Sequence, residues 1–307
     1  MRPSVKLFLL IFSVSFSWSS AGCLSTSNDS GGDDDVVGDD GDSDTDVDTD
    51  VDTDTDTDSG TGSDTDTGPA GCEAGSRAGP GGNTDGELTG GGVDFDVRMP
   101  PGYDPTVAVP LVVVYSPAGV SDPSQTEGFT GLTPDATGAG YAIAYVNHIS
   151  PGDPGSVADV GLVASLISAR WCIDLARVYF TGHSDGGSVT TLLSLDVRTD
   201  PRPAAVAPSA QGVNGPYLAA QSCIDPPMPS MVIHSVNDGL FPGFGEEVSD
   251  WWSTCNSCGA RGAPGGDGCM VFPDCADGAE VQYCEWDGAH GQWPPINDSM
   301  LAFFSRF

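Results

Sequence analysis

One ten-residue segment, FTGHSDGGSV at positions 180–189, limits the fold more than any other part of the chain. It directly follows the apolar run RVYF, which has the β-branched and aromatic composition of a buried strand. A strand that ends in so many glycines turns sharply where the surrounding backbone leaves no room for side chains. The apolar stretch SVTTLLSL comes next and favours a helix. The sequence therefore predicts a strand, a tight turn and a helix in immediate succession.

Within this turn, GHSDG has the form G-x-S-x-G, with Ser184 between Gly182 and Gly186. That spacing is typical of the nucleophile elbow of α/β-hydrolases, where a serine occupies a strained turn between a strand and a helix. An ordinary glycine-rich turn is the alternative, because glycine and serine are common residues. The strand before the motif and the helix after it favour the elbow, so Ser184 is the candidate nucleophile.

Other apolar runs continue the alternation of strands and helices along the chain. Continuous β-branched runs indicate strands buried on both faces, and apolar residues at helical spacing indicate amphipathic helices. This alternation predicts the α/β-hydrolase fold, a mainly parallel central sheet with helices on both faces. Strands are predicted at 93–97, 110–116, 141–146, 177–182, 204–210, 230–236 and 279–286, and helices at 157–170, 188–195, 245–255 and 297–307.

A serine hydroxyl needs a base and an orienting carboxylate, which follow the nucleophile in the chain order Ser, acid, His in this fold. Of the two later histidines, His234 is inside a predicted strand, whereas His290 lies in the loop WDGAHGQWP after the last strand. His290 is therefore the candidate base. Asp238 follows a strand, where carboxylates face the active site of parallel sheets, and is the candidate acid. Rival carboxylates in loops are Asp274 and Asp287.

Acyl transfer also needs backbone N–H groups that stabilise the negative oxygen of the intermediate, the oxyanion. One predicted donor is the amide of Asp185, the residue after the nucleophile. The second is expected in the loop after the strand PLVVVYS; Pro117 has no N–H, so the donor is Ala118 or, alternatively, Gly119. Because an inward carboxylate would repel the oxyanion, the side chain of Asp185 is expected to point away.

The N-terminal residues 1–22 resemble a signal peptide, with Arg2 and Lys6 before a short apolar stretch. SAGC resembles a bacterial lipobox, which predicts cleavage before Cys23 and its lipidation; ordinary secretion is the alternative. We therefore expect an exported protein, either a cell-surface or outer-membrane lipoprotein held to the outer envelope by a lipid anchor or a secreted one. No transmembrane helix is expected after processing, because the apolar stretch is too short.

Residues 23–71 form a predicted disordered stalk rich in Asp and Thr, with 17 acidic residues and no basic one. Self-repulsion and the lack of apolar area keep such a tract extended. Calcium binding is the alternative, since aspartates supply hard oxygen ligands, although the EF-hand pattern is missing. The predicted catalytic domain covers residues 72–307.

That domain is itself strongly acidic. Of the 44 acidic residues, 27 follow residue 71, where eight arginines and no lysine oppose them and leave a net charge of −19. This charge argues against nucleic acid or other anionic polymers as partners and favours neutral substrates. No cofactor and no metal are expected.

Without Cys23, eight of the nine cysteines remain, an even number that predicts up to four disulfides in an exported chain. Cys255 and Cys258 form a C-x-x-C motif, for which zinc binding together with Cys269 and Cys275 is the alternative. Spacing alone leaves the connectivity of the disulfides open.

Several segments resemble the exported poly(3-hydroxybutyrate) depolymerase and feruloyl esterase family, α/β-hydrolases related to acetylxylan esterases. They include VPLVVVYSPAG, RVYFTGHSDGG, MVIHSVND, NSC and CADGAEVQYCEWDGAHGQWP, and the resemblance covers roughly residues 90–307. It implies an exported serine esterase with Ser184 as nucleophile, Asp238 as acid and His290 as base. It also implies a Cys258–Cys275 disulfide.

The chain departs from that family beside the predicted oxyanion site. Ser116 and Pro117 stand where the family has His-Gly, and Asp185 stands where Asn or Ala is usual. These departures keep a second hypothesis open, a surface-anchored binding protein built on a decayed hydrolase scaffold. A serine peptidase of the prolyl-oligopeptidase type shares the fold and is a third.

The main hypothesis is hydrolysis of a neutral ester through an acyl-enzyme on Ser184. The substrate is a polyhydroxybutyrate-type polyester or a feruloyl or acetyl ester of a polysaccharide. Trp251, Trp252 and Trp293 are candidates for an aromatic or sugar subsite, with packing as the alternative. Of these, Trp293 is assigned to substrate binding.

Overall fold

The computed structural model describes Cys72 and residues 83–120, 122–265 and 267–307. The predicted signal peptide, Cys23 and the predicted stalk lie outside these residues. The strands are β1 Thr84–Leu88, β2 Asp94–Arg98, β3 Val109–Tyr115, β4 Ala142–Val146, β5 Ile173–His183, β6 Ala205–Ser209, β7 Ser230–Ser235, β8 Cys269–Phe272 and β9 Val281–Trp286. The helices are α1 Pro123–Thr130, α2 Thr133–Gly138, α3 Pro154–Val160, α4 Val163–Ser168, α5 Asp185–Leu195, α6 Gly215–Leu218, α7 Phe244–Cys255 and α8 Asn297–Phe304, with a 3₁₀ turn at Ala276–Gly278.

The strands of the described residues form one nine-stranded sheet in the order β1-β2-β4-β3-β5-β6-β7-β9-β8. Six neighbouring strands in the middle of the sheet are parallel to one another: β4, β3, β5, β6, β7 and β9. Antiparallel strands complete both edges, with β1 and β2 at one and β8 at the other. The parallel strands therefore end at one common edge, where the loops after β3, β5, β7 and β9 meet.

Alternate residues of the central strands belong to two apolar cores, one on each face of the sheet. On β3, Leu111 and Val113 face one core, which also contains residues of α3, α4, α5 and α7. Val112 and Val114 face the other core, which contains residues of α2 and α8. Burial on both faces explains why this strand is a continuous β-branched run.

The structure differs from the sequence prediction at several boundaries. The helix predicted at 157–170 is two helices, α3 and α4, separated at Gly161 and Leu162. The elements β1, α1, α2, α6 and β8 were not predicted at all. All five are short. β1 and α1 expose many of their residues and so lack the apolar periodicity on which the prediction relied, and β8 is an apolar run of only four residues.

The eight cysteines outside the N-terminal segment form four disulfides, which confirms the prediction of disulfide bonds. Cys258 pairs with Cys275, as the family resemblance implies. Cys255 pairs elsewhere, so the C-x-x-C motif keeps no free thiolate for zinc. The other three disulfides are Cys72–Cys172, Cys223–Cys255 and Cys269–Cys284.

None of the helices in the described part of the chain has the length and apolar character needed to span a lipid bilayer.

The turn between β5 and α5 packs against the end of β3 more closely than any side chain would allow. A Cβ atom added to Gly186 would lie 1.9 Å from the carbonyl oxygen of Tyr115, and one added to Gly182 would lie 2.7 Å from the same oxygen. Ser184, between them, has a φ of 56° and a ψ of −117°, a conformation that is strained for a residue with a side chain. The two glycines thus let the chain reverse directly at the sheet edge.

We expect Gly186→Ala to lower the free energy of unfolding by about 3 kcal/mol or more, because backbone atoms must move to admit the methyl group. Gly128→Ala is the matched control, since Gly128 lies in α1 with no atom within 4 Å of the added Cβ. This control should be neutral or stabilise by up to about 1 kcal/mol. Urea unfolding of the two variants checks the difference; equal stabilities would contradict the close contact.

Candidate active site

Three side chains from three loops form a continuous hydrogen-bonded chain at the carboxyl edge of the sheet. The Oγ of Ser184, after β5, lies 2.9 Å from Nε2 of His290 in the loop after β9. The Nδ1 of His290 lies 2.7 Å from Oδ2 of Asp238, which follows β7. The structure therefore brings together the three residues that the sequence predicted as nucleophile, base and acid.

Asp238 is held in one orientation by its own loop. Its side chain has 0% exposure, and Oδ1 accepts hydrogen bonds from the amides of Leu240 at 2.8 Å and Phe241 at 2.9 Å. Burial by itself raises the pKa of this carboxyl group, but the hydrogen bonds from His290 and the two amides outweigh it and lower the pKa below its usual value. Asp238 is therefore ionised at neutral pH, as a carboxylate that orients a histidine must be.

The loop after β3 is anchored next to the elbow. The Oγ of Ser116 contacts the carbonyl of Val146 and the hydroxyl of Thr126. The backbone amide of Ser116 donates to the same Val146 carbonyl at 3.2 Å. Neither the amide of Ala118 nor that of Asp185 donates to an acceptor outside its own element among the described residues. The role of these two amides as oxyanion donors stays a prediction.

His183, the residue before the nucleophile, was not predicted as part of the site. Its Nε2 donates to the backbone carbonyl of His290 at 2.6 Å, and its Nδ1 lies 3.0 Å from the hydroxyl of Ser209. Burial lowers the pKa of His183 to about 4, although the bond to the carbonyl opposes this shift. His183 is therefore neutral near pH 7 and ties the loop of His290 to β5. His183 occupies an x position of the G-x-S-x-G motif, where any residue type is allowed, so nothing in the sequence indicated this role.

His234, the histidine rejected as a base, lies close to the site but has other partners. It is buried on β7, and its Nε2 lies 2.9 Å from the carbonyl of Phe241 and 3.5 Å from Oδ2 of Asp238. Burial also lowers the pKa of His234. The hydroxyl of Ser184 bonds instead to His290.

Trp293 contacts residues next to the candidate catalytic residues. Its Nε1 donates to Asn297 at 2.8 Å, and its ring centre lies 6.1 Å from that of His183 and 6.3 Å from that of Phe129. These contacts place Trp293 in the packing around His183. Its role in substrate binding stays a prediction.

A cavity of about 400 Å³ flanks the nucleophile. It is lined by Asp185 and Ser188 from the first turn of α5 and by Phe241, whose ring centre lies 5.2 Å from that of His290. A larger cavity of about 510 Å³ lies at the opposite, amino-terminal edge of the sheet, beside Val109 and Tyr141. Of these two cavities, the one of about 400 Å³ adjoins the hydrogen-bonded chain, so it is the candidate substrate cavity.

Comparison with solved structures finds the same architecture in esterases. The chain is similar to an acetyl xylan esterase from Aspergillus awamori, with a TM-score of 0.57 and 12% identity over 73% of this chain and 99% of that one. It is also similar to a truncated carbohydrate esterase from gut microbiota, with a TM-score of 0.55 and 13% identity over 78% and 99% of the two chains. A thermostable esterase gives a TM-score of 0.52 and 17% identity over 73% and 61%. These likenesses, together with the parallel sheet and the elbow, confirm the predicted α/β-hydrolase fold.

No protein-family profile matches the sequence, and no curated protein is significantly similar to it.

We predict that His183 makes the stability of the fold depend on pH. Its pKa in the folded protein is about 4, whereas a histidine in the unfolded chain has a pKa near 6.5, so the unfolded chain binds the extra proton between these values. The contribution of His183 should therefore lower the free energy of unfolding by about 3 kcal/mol as the pH drops from 6.5 to 4. His183→Gln should remove that part of the slope, which urea unfolding at several pH values measures. An unchanged slope would show that His183 is not buried in neutral form.

Proposed function

We propose that this chain is an exported serine esterase that hydrolyses carboxylic esters through an acyl-enzyme on Ser184. The single observation that carries the proposal is the hydrogen-bonded chain from Ser184 through His290 to Asp238 at the carboxyl edge of the sheet. Such a chain activates a serine, because the histidine can accept the hydroxyl proton while the carboxylate holds it in the required tautomer.

In the proposed mechanism, Nε2 of His290 takes the proton of Ser184 as its Oγ attacks the ester carbonyl. Asp238 accepts the Nδ1–H bond and stabilises the positive charge that forms on His290. The same proton then passes to the leaving alcohol. Water, activated by His290, hydrolyses the acyl-enzyme in a second step.

The amides of Asp185 and Ala118 are the proposed oxyanion donors. Asp185 begins α5, so its amide has no helical partner and lies at the positive end of the helix. Ala118 lies in a turn next to the anchored Ser116, in which the amide of Val120 donates to the carbonyl of Pro117 at 3.3 Å. Donors that are already in place need little reorganisation as the oxyanion develops.

The proposed substrates are neutral esters. The similarity to an acetyl xylan esterase and to a carbohydrate esterase favours acetyl esters of polysaccharides as the first class to test. Feruloyl esters of polysaccharides and hydroxybutyrate polyesters are the other proposed classes. Export is part of the proposal, because four disulfides are typical of proteins in oxidising compartments.

We predict that the purified protein hydrolyses 4-nitrophenyl acetate and that Ser184→Ala lowers kcat/KM by at least about 10³-fold. Ser305→Ala is the matched control, because Ser305 follows α8 and lines the cavity at the opposite edge of the sheet. The control should keep the activity of the parent chain, and release of 4-nitrophenol measures all three proteins.

A fluorophosphonate probe tests the alternative of a decayed scaffold. An active elbow should form one covalent adduct on Ser184, found by mass spectrometry of the intact protein and absent in Ser184→Ala. A protein with no hydrolysis and no adduct would exclude the esterase and leave a binding function.

A further inference from the structure

The residue after the nucleophile forms a second carboxylate–histidine pair. The Oδ2 of Asp185 lies 2.9 Å from the Nε2 of His148, in the loop after β4, and both side chains are 28% exposed. With this contact, all four histidines of the chain lie in or beside the active site. The catalytic steps use only His290, so the His148–Asp185 pair needs another explanation.

Asp185, one member of this pair, forms part of the wall of the candidate substrate cavity. Asp185 is the only charged residue among those that line the 400 Å³ cavity. The remaining wall is uncharged, and much of it is apolar. It includes Pro151, Leu192, Val213, Asn214, Tyr217 and Phe241.

No arginine of the described residues lines this cavity. Arg198 lines an adjoining hollow of about 240 Å³, but its Nη2 pairs with Asp196 at 2.6 Å. An anionic group in the cavity would therefore meet the carboxylate of Asp185 and lose its water without gaining a cationic partner.

We propose that this cavity binds one half of the ester substrate and that Asp185 is the residue that restricts that half to groups without a negative charge. His148 is a positioning residue, which acts through Asp185 by fixing the direction of its carboxylate. The inference rests on the proposed esterase function and narrows its substrate class to esters with no negative charge on the half that occupies the cavity.

Two esters with the same four-carbon acyl chain test the acyl half. They are 4-nitrophenyl butyrate, whose acyl chain ends in a methyl group, and 4-nitrophenyl hydrogen succinate, whose acyl chain ends in a carboxylate. The ratio of kcat/KM for succinate to that for butyrate cancels any effect common to both esters, such as a change in the oxyanion site. Asp185→Asn should raise this ratio about tenfold, as expected for the loss of one charge a few ångströms away in a partly screened site.

The butyrate esters of 4-hydroxybenzoate and 4-hydroxybenzamide form the corresponding pair for the alcohol half. Asp174→Asn is the matched control in both pairs, because it removes one negative charge at the other end of β5. Charges at that distance are screened by salt, so its ratios should equal those of the parent chain. A rise of about tenfold in either pair for Asp185→Asn alone supports the inference.

His148→Ala tests the positioning role. In the Asp185→Asn background, this change should leave the ratio where Asp185→Asn alone puts it; a further shift would overturn action through Asp185.

Unchanged ratios in both ester pairs for Asp185→Asn, with the uncharged esters still hydrolysed, would overturn the selective role of Asp185 and leave the esterase proposal intact. A parent chain that hydrolyses none of the uncharged esters would overturn both.

Discussion

The close contact between the start of α5 and the carbonyl oxygen of Tyr115 is the constraint on which the site depends. Gly186 has space only for a hydrogen atom at this point, so the helix begins directly against the end of β3. The serine before it is forced into a strained conformation that projects its hydroxyl from the sheet edge. The same contact brings the loop after β3 beside the amide of Asp185, and so joins the candidate nucleophile to the candidate oxyanion donors.

The loops that carry the other candidate catalytic residues are held by buried polar contacts. Asp238 is oriented by two amides of its own loop, and His183 bonds the backbone of the His290 loop to the strand that ends in Ser184. Because these groups are buried, each broken bond would leave an unsatisfied polar atom. The geometry of the site is thus stabilised by the same interactions that close the loops over the sheet edge.

Local patterns in the sequence were enough to find the candidate nucleophile, base and acid. The strand–glycine–helix pattern identified Ser184, and the order of the later strands identified Asp238 and His290. The contacts of His183 and His148 had no such pattern, because their partners lie 107 and 37 residues away along the chain. The elements β1 and α1 were also missed, since their exposed residues leave no apolar periodicity, and β8 was missed because its apolar run has only four residues.

The sequence by itself determined the alternation of strands and helices, the sharp turn at Ser184, the acidic character of the domain and its capacity for disulfides. These features follow from residue type and spacing within short segments. Only the tertiary structure decided how most of the cysteines pair, which side chains meet at the sheet edge, and that a cavity with one carboxylate, Asp185, flanks the nucleophile. These features depend on which loops, far apart along the chain, the parallel sheet brings together. Residue spacing within short segments does not reveal those contacts.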